Sequence, residues 1–78
     1  MAGHRKKVLI VGAGVAGGIV AEVLTHRVDG NLVPVGFIDD DLQKKDRLIH
    51  GLPVLGDRDK IPEIVKKTGS EQIIIAMP

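Results

Sequence analysis

The sequence contains no cysteine, tryptophan or tyrosine, and Phe37 is its single aromatic residue. The absence of cysteine excludes a disulfide scaffold and a thiolate metal site, and it is typical of a reducing compartment. Without tyrosine and cysteine the chain also lacks the tyrosine acid/base of short-chain dehydrogenases and any thiol nucleophile. We therefore expect these 78 residues to catalyse no reaction by themselves.

Neither sign of charge dominates, and no hydrophobic run is long. The 11 basic and 10 acidic residues leave a net charge of +1, so no strong field draws the chain toward nucleic acid or an anionic membrane. No apolar run approaches the roughly 20 residues that span a bilayer, and no signal-peptide pattern is present. These features predict a cytoplasmic segment with no nucleic-acid partner and no membrane insertion of its own.

The hydrophobic residues are almost entirely aliphatic. They make up 44% of the chain, so valine, isoleucine, leucine and alanine must build the core. This composition is typical of a buried parallel sheet with helices packed against it. Because 78 residues are near the lower limit for a self-sufficient core, we expect residues 1–78 to form one small domain.

Aliphatic runs and helical patterns alternate along the chain. The predicted elements, in order, are a strand at Val8–Val11, a helix at Val15–His26, a strand at Leu32–Ile38, a short strand at Val54–Leu55, a helix from Asp59 to Gly69, and a strand at Ile73–Ala76. Right-handed crossovers then predict an α/β domain in three layers: a four-stranded parallel sheet of order 3-2-1-4 with helices on both faces.

Several local signals accompany these elements. Residues 1–7 are predicted to be a frayed lead-in, and Leu42–Leu48 a loop with at most one helical turn. Arg27–Asn31 is predicted to be a turn, with Asp29 and Gly30 its strongest signal, and Ile49–Gly56 a tight turn that leads into the short strand. The proline in the second strand, Pro34, is expected near the strand's start, where a missing N–H is tolerated. The stripe of the first helix that faces the sheet is predicted to contain Ala16, Ile19, Val20, Val23 and Leu24.

A glycine-rich segment joins the first strand to the first helix. Six consecutive residues match the pattern G-x-G-x-x-G: Gly12, Ala13, Gly14, Val15, Ala16 and Gly17. A strand precedes them, a helix opens within them, and Asp39 ends the next strand about 20 residues later, which is the arrangement of a dinucleotide-binding Rossmann fold. The sequence therefore predicts a nucleotide ligand, NAD(H) or a related nucleotide, with CoA and nucleotide sugars left open.

Each glycine then has an expected role. Gly12 makes the tight turn, Gly14 lets a pyrophosphate approach the backbone, and Gly17 lets the helix pack close to the sheet. Free N–H groups and a partial positive charge at the helix N-terminus suit the phosphates. Asp39 is expected to accept hydrogen bonds from ribose hydroxyls and to repel a 2′-phosphate.

Simpler interpretations of the same residues stay open. The glycines would also permit tight helix–strand packing without any ligand, and Asp39 would also serve to cap the turn that follows it. We expect Asp40 and Asp41 to be solvated rather than metal-binding, because three consecutive carboxylates cannot converge on one ion.

The basic residues and histidines give weaker signals. We expect the basic residues after the aspartates to form a solvated loop rather than a phosphate clamp, and the histidines to be surface or turn residues. These residues are Lys44, Lys45 and Arg47, and His4, His26 and His50.

Four stretches in succession, "VLIVGAGVAG", "PVGFIDDD", "IHGLPVLGD" and "IIIAMP", resemble a known family. They are similar to the nucleotide-binding domain, often described as CoA-binding-like, of bacterial nucleoside-diphosphate-sugar epimerase/dehydratases of polysaccharide biosynthesis. The resemblance runs from about Lys7 to Pro78. It implies that membrane helices precede this domain in an inner-membrane-anchored parent, and that the partner is a downstream catalytic domain of the same chain.

The resemblance carries over to four residues: Gly12, Gly14, Gly17 and Asp39. The family pattern usually has a polar residue where this chain has Val15, and often a basic one at Gly18. Two other classes share the pattern: the nucleotide-sugar-binding domain of sugar acyltransferases, and the NADH-sensing domain of a redox repressor. A histidine in the glycine loop is common in the acyltransferases, and this chain has none there.

Overall fold

The computed structural model describes residues 5–27 and 30–77. Within these ranges the elements are β1 (Lys6–Val11), α1 (Val15–His26), β2 (Leu32–Ile38), β3 (Leu48–Ile49), β4 (Leu52–Gly56), α2 (Ile61–Thr68) and β5 (Gln72–Ile75). Single 3₁₀ turns lie at Leu42–Lys44 and Arg58–Lys60. Val28 and Asp29 of the predicted turn and residues 1–4 of the predicted lead-in lie outside the described residues.

The sheet has five strands in the order β3-β4-β2-β1-β5. β1 pairs in parallel with β2 and β5, and β2 pairs in parallel with β4. The edge strand β3 is antiparallel to β4, so the predicted four-stranded, all-parallel sheet of order 3-2-1-4 is wrong. The sheet is mixed because His50 and Gly51 both have positive φ, 51° and 78°, and this two-residue turn folds the chain back as a hairpin.

Strand β2 lies inside the sheet although it contains a proline. Val8 pairs with Pro34 whereas Leu9 pairs with Gly36, so the residue between them, Val35, is an extra residue in β2. Such a bulge is one of the few places in a sheet where the missing N–H of proline is accommodated. Pro34 is the third residue of β2, and the bulge directly after it accommodates its missing N–H.

Two apolar clusters cover opposite faces of the sheet. Consecutive residues of β1 point to opposite faces and belong to different clusters. Ile10 is in the cluster with Phe37 and with Ala21 of α1, whereas Leu9 is in the cluster with Ile64 of α2. The predicted placement of helices on both faces is confirmed. Complete burial of one large apolar side chain, such as that of Phe37, contributes about 1.5–3 kcal/mol to stability.

The face that α1 turns toward the sheet differs from the predicted stripe. Its buried residues are the small ones, Gly17, Gly18 and Ala21, with Val20 and Leu24 beside them. Ala16, Ile19 and Val23 are exposed, which corrects their predicted place in the core. The helix approaches the sheet so closely that only residues without bulk fit at the contact, and this sets its rotation.

Helix α2 begins later than predicted. Asp57, not Asp59, supplies a capping carboxylate, which accepts the N–H of Asp59 at 3.0 Å and opens the 3₁₀ turn. α2 follows directly, and its N-cap, Lys60, makes no side-chain capping bond. The predicted end at Gly69 is confirmed: Gly69 has φ 74° and donates its N–H to Val65 at 2.9 Å.

Candidate nucleotide-binding site

The glycine loop lies at the edge of the sheet where the parallel strands end. The N–H of Gly12 donates to the carbonyl of Ile38 at the end of β2, at 2.7 Å. The N–H of Ala76, just after β5, donates to Val11 at 2.8 Å. The loop is therefore held between the ends of β2 and β5, the position at which open α/β sheets bind their ligands.

Gly12 is required by both its conformation and its surroundings. Its φ of 108° lies in a region that residues with a side chain rarely adopt. A Cβ there would also stand 2.8 Å from the Cγ of Met77 and 2.9 Å from the carbonyl oxygen of Ala76. The tight turn predicted at Gly12 is present.

Gly17 lies where helix and loop touch. A Cβ on Gly17 would collide with the carbonyl oxygen of Gly12, which is backbone and cannot swing away. The close packing predicted for Gly17 therefore exists.

Gly14 differs from both of these glycines. Apart from its neighbours in the chain, no heavy atom of the described residues lies within 4 Å of the place where its Cβ would stand. Its φ of −92° is also open to any residue. Within the described protein, neither packing nor backbone strain demands glycine at this position.

The N-terminus of α1 adjoins this open position. Gly14 is the N-cap and has no side chain to cap the helix. The first intrahelical bond runs from Gly18 to Gly14, at 2.9 Å, so the N–H groups of Val15, Ala16 and Gly17 have no partner within the helix. Val15 and Ala16 are exposed at this end of the helix, and a helix N-terminus is a favourable place for an anion.

Asp39 lies against this loop. Its Oδ2 accepts the N–H of Ala13 at 2.9 Å, and its Oδ1 accepts the N–H of Asp41 at 2.9 Å. The Nζ of Lys44 lies 3.5 Å from the same Oδ2. The carboxylate therefore joins the glycine loop to the loop that follows β2, and it also caps that second loop.

The charge of Asp39 is stabilised in this position. Burial alone raises the pKa of Asp39, but hydrogen bonds from the N–H groups of Asp41 and Ala13 and the charge of Lys44 outweigh it. The pKa thus lies below its ordinary value, and the carboxyl is ionised at neutral pH.

The three consecutive aspartates diverge. Asp40 accepts the backbone N–H of Arg58 at 3.1 Å and pairs with its guanidinium Nε at 3.0 Å, whereas Asp41 caps the 3₁₀ turn by accepting the N–H of Gln43. Among residues 5–27 and 30–77, no group of histidine and carboxylate side chains is arranged to hold a metal ion.

Lys44 and His50 have roles that the sequence did not reveal. The sequence predicts Lys44 in a solvated loop, but its ammonium contacts Asp39. The Nδ1 of His50 lies 2.9 Å from a carboxylate oxygen of Glu22, and a Cβ on Gly18 would come within 3.0 Å of its Nε2. Gly18 thus makes room for the tip of the β3–β4 hairpin. No local pattern indicates the contacts of His50, because Glu22 and Gly18 lie far from it in the chain.

A cleft of about 410 Å³ opens beside Gly12 and Asp39. Its walls are mainly apolar and include Ile61, Ile73, Ile75 and Met77. A second cleft, of about 330 Å³, lies on another side of Asp39 and is lined by charged residues, including Lys45, Lys60 and Glu63. In the described part of the chain, neither helix has the length and apolar character needed to cross a bilayer.

Comparison with known proteins identifies two curated relatives. The chain is 40% identical over 72 residues to the probable polysaccharide biosynthesis protein EpsC of Bacillus subtilis (strain 168), and 37% identical over 76 residues to the capsular polysaccharide biosynthesis protein CapD of Staphylococcus aureus. These matches cover 92% and 96% of this chain but only 12% and 13% of the relatives' length.

Two solved structures share the fold. UDP-D-quinovosamine 4-dehydrogenase from Vibrio fischeri superposes with a TM-score of 0.81 at 31% identity, covering 91% of this chain and 56% of that one. A protein called RSP, solved in complex with β-NADH, superposes with a TM-score of 0.79 at 19% identity, covering 96% of this chain and 35% of that one. This second likeness shows the fold alone.

The family model for the CoA-binding domain matches residues 1–78. The predicted resemblance to the CoA-binding-like domain of polysaccharide biosynthesis proteins is confirmed. The predicted ligand, NAD(H) or a related nucleotide such as CoA, agrees with the description of this family as a CoA-binding domain. The chain belongs to the CoA-binding domain family.

Proposed function

We propose that this chain is the nucleotide-binding domain of a nucleoside-diphosphate-sugar epimerase/dehydratase of polysaccharide biosynthesis. The pyrophosphate of an adenine dinucleotide binds at residues 12–17, and its adenosine ribose lies beside Asp39. The observation that carries this proposal is the open space at Gly14, because the fold itself gives no reason for glycine there.

The groups around Gly14 suit a pyrophosphate. The N–H groups of Val15, Ala16 and Gly17 lack intrahelical partners, and the helix dipole adds partial positive charge at the same end. A backbone without a side chain at Gly14 lets an anion approach these donors closely. The apolar cleft beside Gly12 has the volume to take a base or another flat ring.

The wider activity follows from the relatives. Two of them are polysaccharide biosynthesis proteins, and one neighbouring structure is a UDP-sugar dehydrogenase. In this proposal residues 1–78 form one binding domain without catalysis of its own, and a further catalytic domain of the same longer chain acts on the nucleotide sugar.

Titration of the ¹⁵N-labelled chain with NADH, followed by NMR, tests the binding site. We expect the amide signals of residues 12–18 and of Asp39 to shift. The dissociation constant should lie between high micromolar and millimolar, which corresponds to a binding free energy of about 4–6 kcal/mol. Gly14→Val should abolish the shifts without unfolding the chain, because the position is open and its φ allows valine. Thr25→Val, an exposed substitution at the other end of α1, should leave binding unchanged.

Parallel titrations with CoA and a UDP-sugar define the ligand. Binding of the UDP-sugar alone would instead favour the sugar acyltransferase class. If saturating NADH, CoA and UDP-sugar all leave the amides of residues 12–18 unmoved, the glycines serve packing only and the proposal is wrong.

A further inference from the structure

Lys44 is held next to the glycine loop by a chain of contacts. Its ammonium lies 3.5 Å from the same Asp39 oxygen that accepts the N–H of Ala13. Its backbone is fixed in a 3₁₀ turn, where its N–H donates to the carbonyl of Asp41 at 3.0 Å. Because its side chain is only one-third exposed (33%), this cation has a defined position beside the loop.

Asp39 is already occupied by other donors. Two backbone N–H groups and one ammonium surround its two oxygens, whereas a carboxylate offers about four acceptor positions. Ribose hydroxyls would have to share the remaining capacity. The arrangement indicates that Asp39 mainly positions the loop and Lys44.

The pair also changes the local charge. A lone carboxylate at the end of β2 repels a phosphate on the adenosine ribose, which is the basis for expecting discrimination against such ligands. Here the ammonium of Lys44 lies 3.5 Å from the carboxylate of Asp39, and its positive charge reduces this repulsion. The ammonium has three N–H donors, and its contact with Asp39 engages one of them, which leaves donors for an incoming phosphate.

We propose that Lys44 binds a phosphate carried by the adenosine ribose, so that this site prefers ribose-phosphorylated adenine nucleotides. This inference rests on the proposed function, because it requires an adenosine to lie beside Asp39. It reverses the sequence-based expectation that Asp39 repels a 2′-phosphate. The phosphate belongs either to the 2′ position, as in NADPH, or to the 3′ position, as in CoA.

Two matched pairs of ligands test the proposal on the unmodified chain. NADPH is compared with NADH, and CoA with dephospho-CoA, by NMR titration at low salt. We expect at least one phosphorylated ligand to bind about three- to five-fold more tightly than its partner, the size of a partly exposed ion pair. The pair that shows the difference tells which position carries the recognised phosphate.

Substitutions then assign the effect to Lys44. Lys44→Gln should remove the preference, which is measured within the variant as the ratio of the two dissociation constants of each ligand pair. Lys44→Arg, which keeps the charge, should retain the preference. The matched control is Lys66→Gln, which removes the charge of an exposed lysine in the last turn of α2 and should have no effect.

The outcomes separate this inference from the proposed function. If NADH or dephospho-CoA binds at residues 12–18 and neither phosphorylated ligand binds more tightly, the inference is wrong and the proposed function stands. A preference that survives Lys44→Gln also overturns the inference. If none of the four ligands binds, both proposals fail. Because the ligand pairs are compared on the wild-type chain, the comparison does not depend on whether any variant folds.

Discussion

The two loops that form the candidate site are built in different ways. The glycine loop after β1 is shaped by absent side chains, since at Gly12 and Gly17 a Cβ would strike backbone atoms. The loop after β2 is shaped by side chains that are present, as Asp39, Asp40 and Asp41 each accept a backbone N–H. Steric exclusion by backbone is severe, whereas each hydrogen bond contributes modestly. Substitutions at Gly12 and Gly17 should therefore affect stability far more than substitutions in the second loop.

Within the glycine loop the same contrast separates structural from binding positions. Gly12 and Gly17 are explained by the fold, and Gly14 is not. Glycine is therefore required for different reasons at different positions of the same motif: by the fold at Gly12 and Gly17, and in our proposal by the ligand at Gly14.

Gly17→Ala should have the largest effect. Its methyl group would collide with the carbonyl oxygen of Gly12, so α1 must move away from the sheet, at a cost of about 3 kcal/mol or more. Urea unfolding followed by circular dichroism measures the loss. The matched control is Gly14→Ala, which meets open space and should cost less than about 1 kcal/mol. Equal losses for the two variants would contradict the distinction between these glycines.

Asp39→Asn should have an intermediate effect that depends on pH. The folded-state pKa of Asp39 is lowered, so its contribution to stability is fully present above the unfolded-state value of about 3.9 and is lost as the pH falls through the folded value. At pH 7 we expect the variant to be less stable than the wild type by about 1–2 kcal/mol, because hydrogen bonds to a charged group are lost.

The gap between the wild type and Asp39→Asn should narrow below about pH 4, where the wild-type carboxyl becomes protonated. Urea unfolding of both proteins from about pH 2.5 to 7 measures this. Asp46→Asn, which changes the same charge elsewhere in the loop, is the control. A gap that does not change with pH would show that the ionised carboxylate does not support the loop.

Asp41→Ala should have the smallest effect. It removes the acceptor for the N–H of Gln43, which caps a turn of only three residues, and we expect a loss of about 0.5–1 kcal/mol. Asp41→Asn keeps an acceptor oxygen and should recover most of that loss in the same unfolding experiment. A loss as large as that of Gly17→Ala would mean that the second loop is as constrained as the first.

Much of the fold could be predicted because its signals are local. Helix α1 begins at Val15 and ends at His26 as predicted, and α2 ends at Gly69, since glycine loops and left-handed caps are set by neighbouring residues. The hairpin of β3 and β4 was missed because two residues, Leu48 and Ile49, are too few to show a strand pattern. A tight turn was expected in Ile49–Gly56, but the positive φ of His50 that closes the hairpin is uncommon outside glycine and has no signal in the sequence.

The site divides in the same way. The glycine loop and the acid after β2 could be placed from their spacing, but the partners of that acid could not. The N–H of Ala13 reaches Asp39 because the glycine loop and the end of β2 lie at the same edge of the sheet, whereas Lys44 reaches Asp39 within one loop, through the turn that Asp41 caps. A contact between two separate elements depends on how the chain packs, and this cannot be predicted from neighbouring residues.

Local sequence alone was sufficient to specify aliphatic strands, glycine turns and helix ends, because each depends on the conformational limits of a few adjacent residues. Three features depended on the folded chain: the rotation of α1, the antiparallel edge strand and the contact of Asp39 with the glycine loop. Each results from contacts between separate elements of the fold, where close packing and charge select one arrangement from several that local propensities allow equally.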